Sequence, residues 1–240
     1  MRKSIALLTL FISCFGCACT KTINYNSPST IKDIIKSVVR IGISYTAEDK
    51  LTLSAEKKYY VATGFSIAAD AEKTYILTNQ HVCDMRSKAV YTLTLSSGKQ
   101  KRAEFVKVDP FADLCILVTK QYIPPLVLAK SNGAQGDRVL VVGGPDGVFP
   151  IVTEGVISGY YNIHMKNNPE EDGKFEVHFR AQVMSTPIYG GNSGSPVINL
   201  DKEVVGIVFA ARTNKEHISY IVPVSEIRRL LDTSEYVQEN

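Results

Sequence analysis

Short apolar runs separated by turn-forming residues dominate the chain from about residue 38 onward. Apolar and polar residues alternate in the stretch 175–180, which predicts a strand with one buried face. Glycine, serine and proline cluster in the breaks, as at 96–98 and 143–147. This pattern predicts an antiparallel all-β protein, either a sandwich or a pair of barrels. The predicted strands are Val38–Tyr45, Tyr60–Ile67, Tyr75–Thr78, Val90–Leu95, Ala103–Val108, Leu114–Val118, Arg138–Val142, Val152–Tyr160, Phe175–Val183, Val197–Leu200, Val204–Ala210 and Ser219–Val222.

Two segments carry a helical pattern instead. Residues 31–38 predict a short turn or helix. The stretch Val224–Leu231 has apolar residues at Ile227, Leu230 and Leu231, which fall on one side of a helix. We therefore expect a short C-terminal helix that packs this side on the final strands.

The N-terminus has a charged start, Met1-Arg2-Lys3, followed by an apolar run over residues 5–15 and then by small residues and cysteines. This run is too short to span a bilayer as a helix. It predicts an export signal over residues 1–20, with a buried N-terminal helix as the alternative. We expect an exported protein, either periplasmic or extracellular.

Three cysteines, Cys14, Cys17 and Cys19, crowd into the predicted signal. Their small neighbours resemble the residues that precede the lipidated cysteine of bacterial lipoproteins, although the usual leucine three residues earlier is missing. The length of the signal favours Cys17 as the lipidation candidate. A lipid there would be the only attachment to a membrane that the sequence predicts.

Composition and charge indicate the domain organisation and the class of partner. We expect a polar tether at 21–35, one folded domain at 36–232 and a polar tail at 233–240. The hydrophobic content of 45% is ordinary for a globular core. A net charge of +3, with the basic residues scattered, argues against a nucleic-acid partner.

Two further cysteines, Cys83 and Cys115, lie in the predicted folded domain. Outside the cytosol such a pair can form a disulfide. Two buried thiols that act as small apolar side chains fit the sequence equally well. Both interpretations stay open at this point.

Residues 189–197 read YGGNSGSPV and combine two serines with three glycines. Glycine accepts positive φ and lets another molecule approach the backbone closely, which a reactive serine needs. A turn between two strands would use the same residue types without any chemistry. A serine hydroxyl is a weak nucleophile, so a reactive one also requires a base and a group that orients the base.

His81 is the histidine placed best to act as this base, because it follows the predicted strand Tyr75–Thr78 directly. A buried histidine with only a structural role is the alternative. Asp113 precedes the apolar run Leu114–Val118, where a carboxylate is costly unless it is hydrogen-bonded. A cap at the strand start is its simpler interpretation. The other histidines, which lie among polar residues and are interpreted as solvated, are His164, His178 and His217.

Three segments, TNQHV at 78–82, DPFADLCIL at 109–117 and GGNSGSPV at 190–197, resemble the active-site segments of the chymotrypsin-fold (trypsin-like) serine peptidases, in that family's order. The first two are similar to the HtrA-like branch, and the third is similar to the glutamyl endopeptidases. The resemblance implies two antiparallel six-stranded β-barrels with an active site between them. It also implies Ser193 as nucleophile, His81 as general base and Asp113 as the group that orients the imidazole. The amides of Gly191 and Ser193 would form the oxyanion hole.

The same resemblance gives expectations for substrate and partners. Substrates would be polypeptides, bound at Pro187 and along an edge strand at Val208, Phe209 and Ala210. A small or medium apolar residue before the cut is expected, because Pro187 and Val208 stand where charge-selecting relatives have polar side chains. This chemistry needs no cofactor and no metal. The alternatives are a non-cleaving binding module that keeps the fold and, less favoured, a small-ester hydrolase.

Overall fold

The computed structural model describes residues 28–48, 55–83, 88–166, 176–211 and 218–232. The predicted export signal, the lipidation candidate and the polar tail lie outside these residues. Two helices flank the strands, α1 at Pro28–Lys36 and α2 at Val224–Asp232. Neither described helix is long and apolar enough to cross a bilayer.

The first six strands form a closed antiparallel barrel in the order β1-β2-β3-β6-β5-β4. Their inward-facing residues, among them Ile41, Ile76, Leu93 and Leu117, are fully buried and form one core cluster. This is the packing that strand alternation predicts. The strands are β1 Val38–Glu48, β2 Ala55–Ala69, β3 Thr74–Thr78, β4 Ala89–Thr94, β5 Gln100–Asp109 and β6 Leu114–Thr119.

The later strands form a second ring in the order β11-β8-β9-β10-β13-β12, which the pairing of β11 with β12 closes. The two-barrel prediction is thereby confirmed. A short strand, β7, adds to β12 in parallel and was not predicted. The strands are β7 Val127–Leu128, β8 Arg138–Gly143, β9 Ile151–Lys166, β10 Glu176–Met184, β11 Pro196–Ile198, β12 Glu203–Ala211 and β13 Ser219–Pro223.

An apolar layer joins the two barrels. It combines Phe65 and Leu114 of the first barrel with Ile198 and Ile207 of the second. Because the inner side of each barrel is already filled, burying this layer holds the barrels against each other. The crevice at the edge of the layer is where residues from both barrels meet.

Both helices pack on the strands. In α2, Ile227 and Leu230 are buried, as the sequence predicts. The helix α1 begins inside the segment expected to be a tether, and its Ile34 is buried in the layer between the barrels. The chain from Pro28 onward therefore packs on the domain rather than leading away from it.

Candidate active site

The glycine-rich segment forms a tight turn at the crevice. The amide of Asn192 donates to the carbonyl of Tyr189 over 3.1 Å, and Gly191 has φ +92°. A positive φ at the third residue of a four-residue turn is typical of a type II turn, which favours glycine there. A Cβ on Gly191 would also clash with the carbonyl oxygen of Gly144. The turn can therefore take only glycine at this position.

Hydrogen bonds fix the direction of the peptide that joins Gly190 to Gly191. The carbonyl of Gly190 accepts from the amide of Asp146 over 2.7 Å. Since the C=O and N–H of a trans peptide point in opposite directions, the amide of Gly191 points away from Asp146. Within the described residues, the amides of Gly191 and Ser193 donate to no other protein group. Both are available to an oxyanion.

The serine of this turn is anchored to both barrels. The carbonyl of Ser193 accepts from the amide of Thr63 in β2 over 2.9 Å. The next residue, Gly194, donates to the carbonyl of Val208 in β12 over 3.1 Å. Thr63 also uses its hydroxyl, which donates to the carbonyl of Gly191 over 2.8 Å and accepts from Gly144 over 3.0 Å. Thr63 is thus a positioning residue that the sequence analysis missed, since a threonine inside a strand gives no signal.

His81 and Asp113 meet through two hydrogen bonds. The ring Nδ1 of His81 lies 2.8 Å from Oδ2 of Asp113, and the amide of His81 donates to Oδ1 over 2.9 Å. Asp113 is fully buried, whereas the His81 side chain is 36% exposed. This arrangement holds the imidazole in one orientation.

Burial sets the electrostatics of Asp113. It raises the pKa of this carboxyl above the ordinary value of 3.8, and the hydrogen bonds from His81 and the Gln80 amide only partly oppose the shift. The residue also has φ +50°, a left-handed conformation that is strained for a residue with a Cβ. Strained backbone often marks functional sites.

The turn that carries Asp113 is held by a second aspartate. Oδ1 of Asp109 accepts from the amides of Phe111 and Ala112 over 2.9 and 3.3 Å. Its other oxygen pairs with Arg229 on α2. Asp109 therefore holds the turn and links it to the C-terminal helix.

A disulfide joins Cys83 to Cys115. Each cysteine lies two residues beyond one of the hydrogen-bonded pair, His81 or Asp113. Both cysteines are fully buried in the core of the first barrel. Of the two interpretations that the sequence left open, the structure has the bridge, and it ties together the segments that carry the pair.

The residues expected to bind substrate lie in different surroundings. Phe209 and Ala210 line a cavity of about 420 Å³ together with Tyr161 and Tyr220. The backbone of Val208 is already used, because its amide donates to Ser195 over 2.9 Å and its carbonyl accepts from Gly194. Val208 is therefore not left to pair with a substrate backbone.

Pro187 is half-buried on the segment that leads into the serine turn. Its role in binding substrate stays a prediction. Ser195, the second serine of the glycine-rich segment, is fully buried beside Gly143.

His81 and Ser193 together line a cavity of about 260 Å³. The other lining residues come from the first barrel and are Ile43, Tyr45, Tyr60, Val61, Ala62 and Val82. The structure thus brings the predicted nucleophile, base and orienting carboxylate to one crevice, with the Gly191 turn beside them.

Residues 62–207 match the family described as the trypsin-like peptidase domain. The chain belongs to this family. The match contains His81, Asp113 and Ser193, the three residues that the motifs single out.

Curated relatives include the HtrA-like serine protease of Staphylococcus aureus (strain USA300), which is 27% identical over 205 residues. That alignment covers 82% of this chain and 26% of the relative, so the chain spans about a quarter of such relatives. Among solved structures, the active form of the Rv3671c protease from M. tuberculosis has a TM-score of 0.68 at 25% identity, covering 84% of this chain and 82% of that one. The HtrA-type protease AlgW with a decapeptide, at 20% identity and a TM-score of 0.66 over 84% of this chain and 65% of that one, shows the fold alone.

Replacing Asp113 by Asn tests whether burial makes the negative charge of this carboxylate unfavourable for folding. Because burial raises the pKa of Asp113 in the folded state, the folded protein binds its proton more tightly than the unfolded chain does, and this residue's contribution to stability falls as pH rises above 3.8. The Asn side chain carries no such penalty. Since the Asn amide nitrogen cannot accept one of the two hydrogen bonds from His81, we expect Asp113→Asn to be less stable than wild type in urea unfolding, with a smaller deficit at about pH 8 than at about pH 4. A variant destabilised equally at both pH values would show that the charge is not penalised.

The disulfide is expected to stabilise the fold through the chain it closes. Its cysteines are 32 residues apart, for which loop-closure entropy gives roughly 3–4 kcal/mol. The double variant Cys83→Ala/Cys115→Ala should lose about that much free energy of unfolding, measured against oxidised wild type. Reduced wild type is the control and should lose a similar amount. Equal stability of oxidised, reduced and double-variant proteins would contradict the role of the bridge.

Proposed function

We propose that this chain is an exported serine endopeptidase in which Ser193, His81 and Asp113 form the catalytic triad. The observation that carries the proposal is the binding of His81 Nδ1 by the buried carboxylate of Asp113, while the same ring lines a cavity with Ser193. With Nδ1 held in this way, Nε2 would be the ring nitrogen that takes the proton of the serine. This is the tautomer that a general base requires.

The reaction follows from these roles. Oγ of Ser193 attacks the carbonyl carbon of the scissile peptide bond, and its proton passes to Nε2 of His81. The C–N bond then breaks as His81 returns that proton to the leaving amine. Water repeats the sequence on the acyl-enzyme and frees the serine. Asp113 keeps the imidazole in position and stabilises its cationic form.

The Gly191 turn supports stabilisation of the tetrahedral intermediate. Its amide points away from the loop that carries Asp146, and with the amide of Ser193 it would bind the oxyanion. Such donors are fixed before the reaction, so little reorganisation is needed when the charge develops. Losing one donor typically lowers kcat on the order of a hundredfold or more. The turn favours cleavage over the alternative, a binding module that keeps the fold without cutting.

Export is supported by the N-terminal sequence and by the disulfide. Residues 1–20 read as an export signal with Cys17 as the lipidation candidate. The bridge between Cys83 and Cys115 fits a compartment outside the reducing cytosol. We place the enzyme in the periplasm or the extracellular space, with a lipid as its possible anchor.

The cavity beside His81 and Ser193 would receive the leaving-group side of the substrate. His81 must protonate the departing amine, so that amine has to leave on the side of the imidazole. Apart from Ser193, the cavity is lined by the first barrel, and Tyr45 and Tyr60 stack there with ring centroids 6.1 Å apart. The acyl side would then run along Phe209 and Ala210 of the second barrel. An apolar residue after the cut should therefore be favoured.

The nucleophile is tested with a fluorophosphonate probe and a mixed peptide library. Wild type should be labelled and should cleave the library, because the activated serine attacks phosphorus and carbonyl carbon alike. Ser193→Ala should lose both labelling and cleavage while unfolding like wild type. The neighbouring variant Ser195→Ala is the matched control and should still be labelled. Identical cleavages by wild type and Ser193→Ala would rule out Ser193 as nucleophile.

Leaving-group preference is tested by acyl transfer. Amino-acid amides added to the acyl-enzyme compete with water, and leucinamide or phenylalaninamide should capture it about tenfold better than glycinamide. Tyr60→Ala should reduce this preference, whereas Tyr122→Ala, at a similarly exposed tyrosine outside the cavity, should not. Acyl-enzyme that forms normally but shows no preference would contradict the cavity's role without contradicting the triad.

A further inference from the structure

Two histidines outside the crevice face each other across a pair of strands. His164 on β9 is the direct cross-strand partner of His178 on β10. Their Nδ1 atoms are 3.2 Å apart, and the rings meet edge to face with centroids 5.1 Å apart. Both residues are exposed, so an ion in solution can reach the two nitrogens. The proposed proton transfers use neither of them, although His164 also lines the cavity that contains Phe209 and Ala210.

The separation of the two nitrogens matches the spacing of two ligands on one metal ion. Imidazole nitrogens bind Zn²⁺ at about 2.0–2.1 Å, and two of them at a tetrahedral angle lie roughly 3.3 Å apart. The observed 3.2 Å agrees with this spacing before any adjustment. Small rotations of the exposed rings would aim both lone pairs at one point. In the hydrogen-bonded pair, one ring donates its Nδ1 proton to the other ring. For both Nδ1 atoms to bind the metal, the donating ring would carry that proton on Nε2 instead.

We propose that His164 and His178 form a binding site for a divalent transition metal, of which Zn²⁺ is the test case. Imidazole ligands suit Zn²⁺, Cu²⁺ and Ni²⁺ and do not suit Mg²⁺ or Ca²⁺. Among the described residues no group of three or more histidine, cysteine, aspartate or glutamate side chains could hold a metal. Water would therefore complete the coordination, and the affinity should be moderate. The nearby Arg180 lies over the ring of Tyr160 with its guanidinium carbon 4.6 Å from the ring centroid.

Metal binding by His164 and His178 should affect the stability of the sheet, because of where the two residues lie in it. Strand β9 pairs with β8 only as far as Val156, and β10 pairs with β13 only from Gln182 onward. In the described sheet, the parts of β9 and β10 that carry the histidines pair only with each other. The inward side chains of this two-stranded part, such as Ile163 and Val177, are buried in the core. A metal that bridges the two strands binds only the folded state and should therefore stabilise it further.

The ribbon also touches the turn that carries Asp113. The amide of His178 donates to the carbonyl of Phe111 over 2.9 Å. A metal bound at His178 would therefore order a strand that contacts the segment next to the buried carboxylate. Hydrogen exchange of the His178 amide, which donates this bond, reports on the contact.

Isothermal titration with ZnCl₂ of the full-chain Ser193→Ala protein, in which Cys14, Cys17 and Cys19 are also replaced by Ser so that no free thiolate there competes for the metal, tests the site without interference from catalysis. We expect one Zn²⁺ per chain, with affinity at least tenfold lower in His164→Ala and in His178→Asn. The controls His81→Ala and His217→Ala should bind like the parent protein, and MgCl₂ should give no binding. Amide hydrogen exchange at 176–181, which includes the His178 amide, should slow with Zn²⁺ in the parent protein and in the two controls but not in the His164 and His178 variants.

Two outcomes would overturn the proposal. One is the absence of Zn²⁺ binding by the parent protein. The other is equal binding by the parent and by the double variant His164→Ala/His178→Asn, which would place the metal elsewhere. Because the variants differ only on an exposed ribbon, near-ultraviolet circular dichroism can verify that each remains folded.

Discussion

The hydrogen-bonded pair of His81 with Asp113 is the interaction on which the rest of the site depends. A carboxylate with no exposed surface is unfavourable unless its oxygens are bonded, and here both oxygens accept from His81. The ring and the backbone of one residue thus supply both of these contacts. This geometry makes the position of the imidazole inseparable from the folding of the segment 109–113.

Several weaker elements hold this pair in place. Asp109 bonds the amides of the turn and pairs with Arg229, which connects the turn to the C-terminal helix. The disulfide joins the strand after Asp113 to the short helical turn that contains His81. These contacts therefore offset the free-energy cost of burying the charge of Asp113 and of its left-handed backbone conformation.

The second barrel contributes the turn that would bind developing charge. Its direction is fixed by Asp146 from one side and by Thr63 of the first barrel from the other. Both residues determine where the amide of Gly191 points. The crevice thus depends on contacts across the apolar layer as much as on the residues that line it.

The sequence by itself determined the strand pattern, the C-terminal helix and the positions of His81, Asp113 and Ser193, because alternation and local motifs are written in neighbouring residues. Only the tertiary structure decided that the two cysteines are bridged, that the backbone of Val208 already has hydrogen-bond partners and that α1 packs on the barrels. It also brought Thr63 to Gly191 and His164 to His178. These outcomes depend on contacts between residues far apart in the chain, and no local pattern specifies which distant groups will meet.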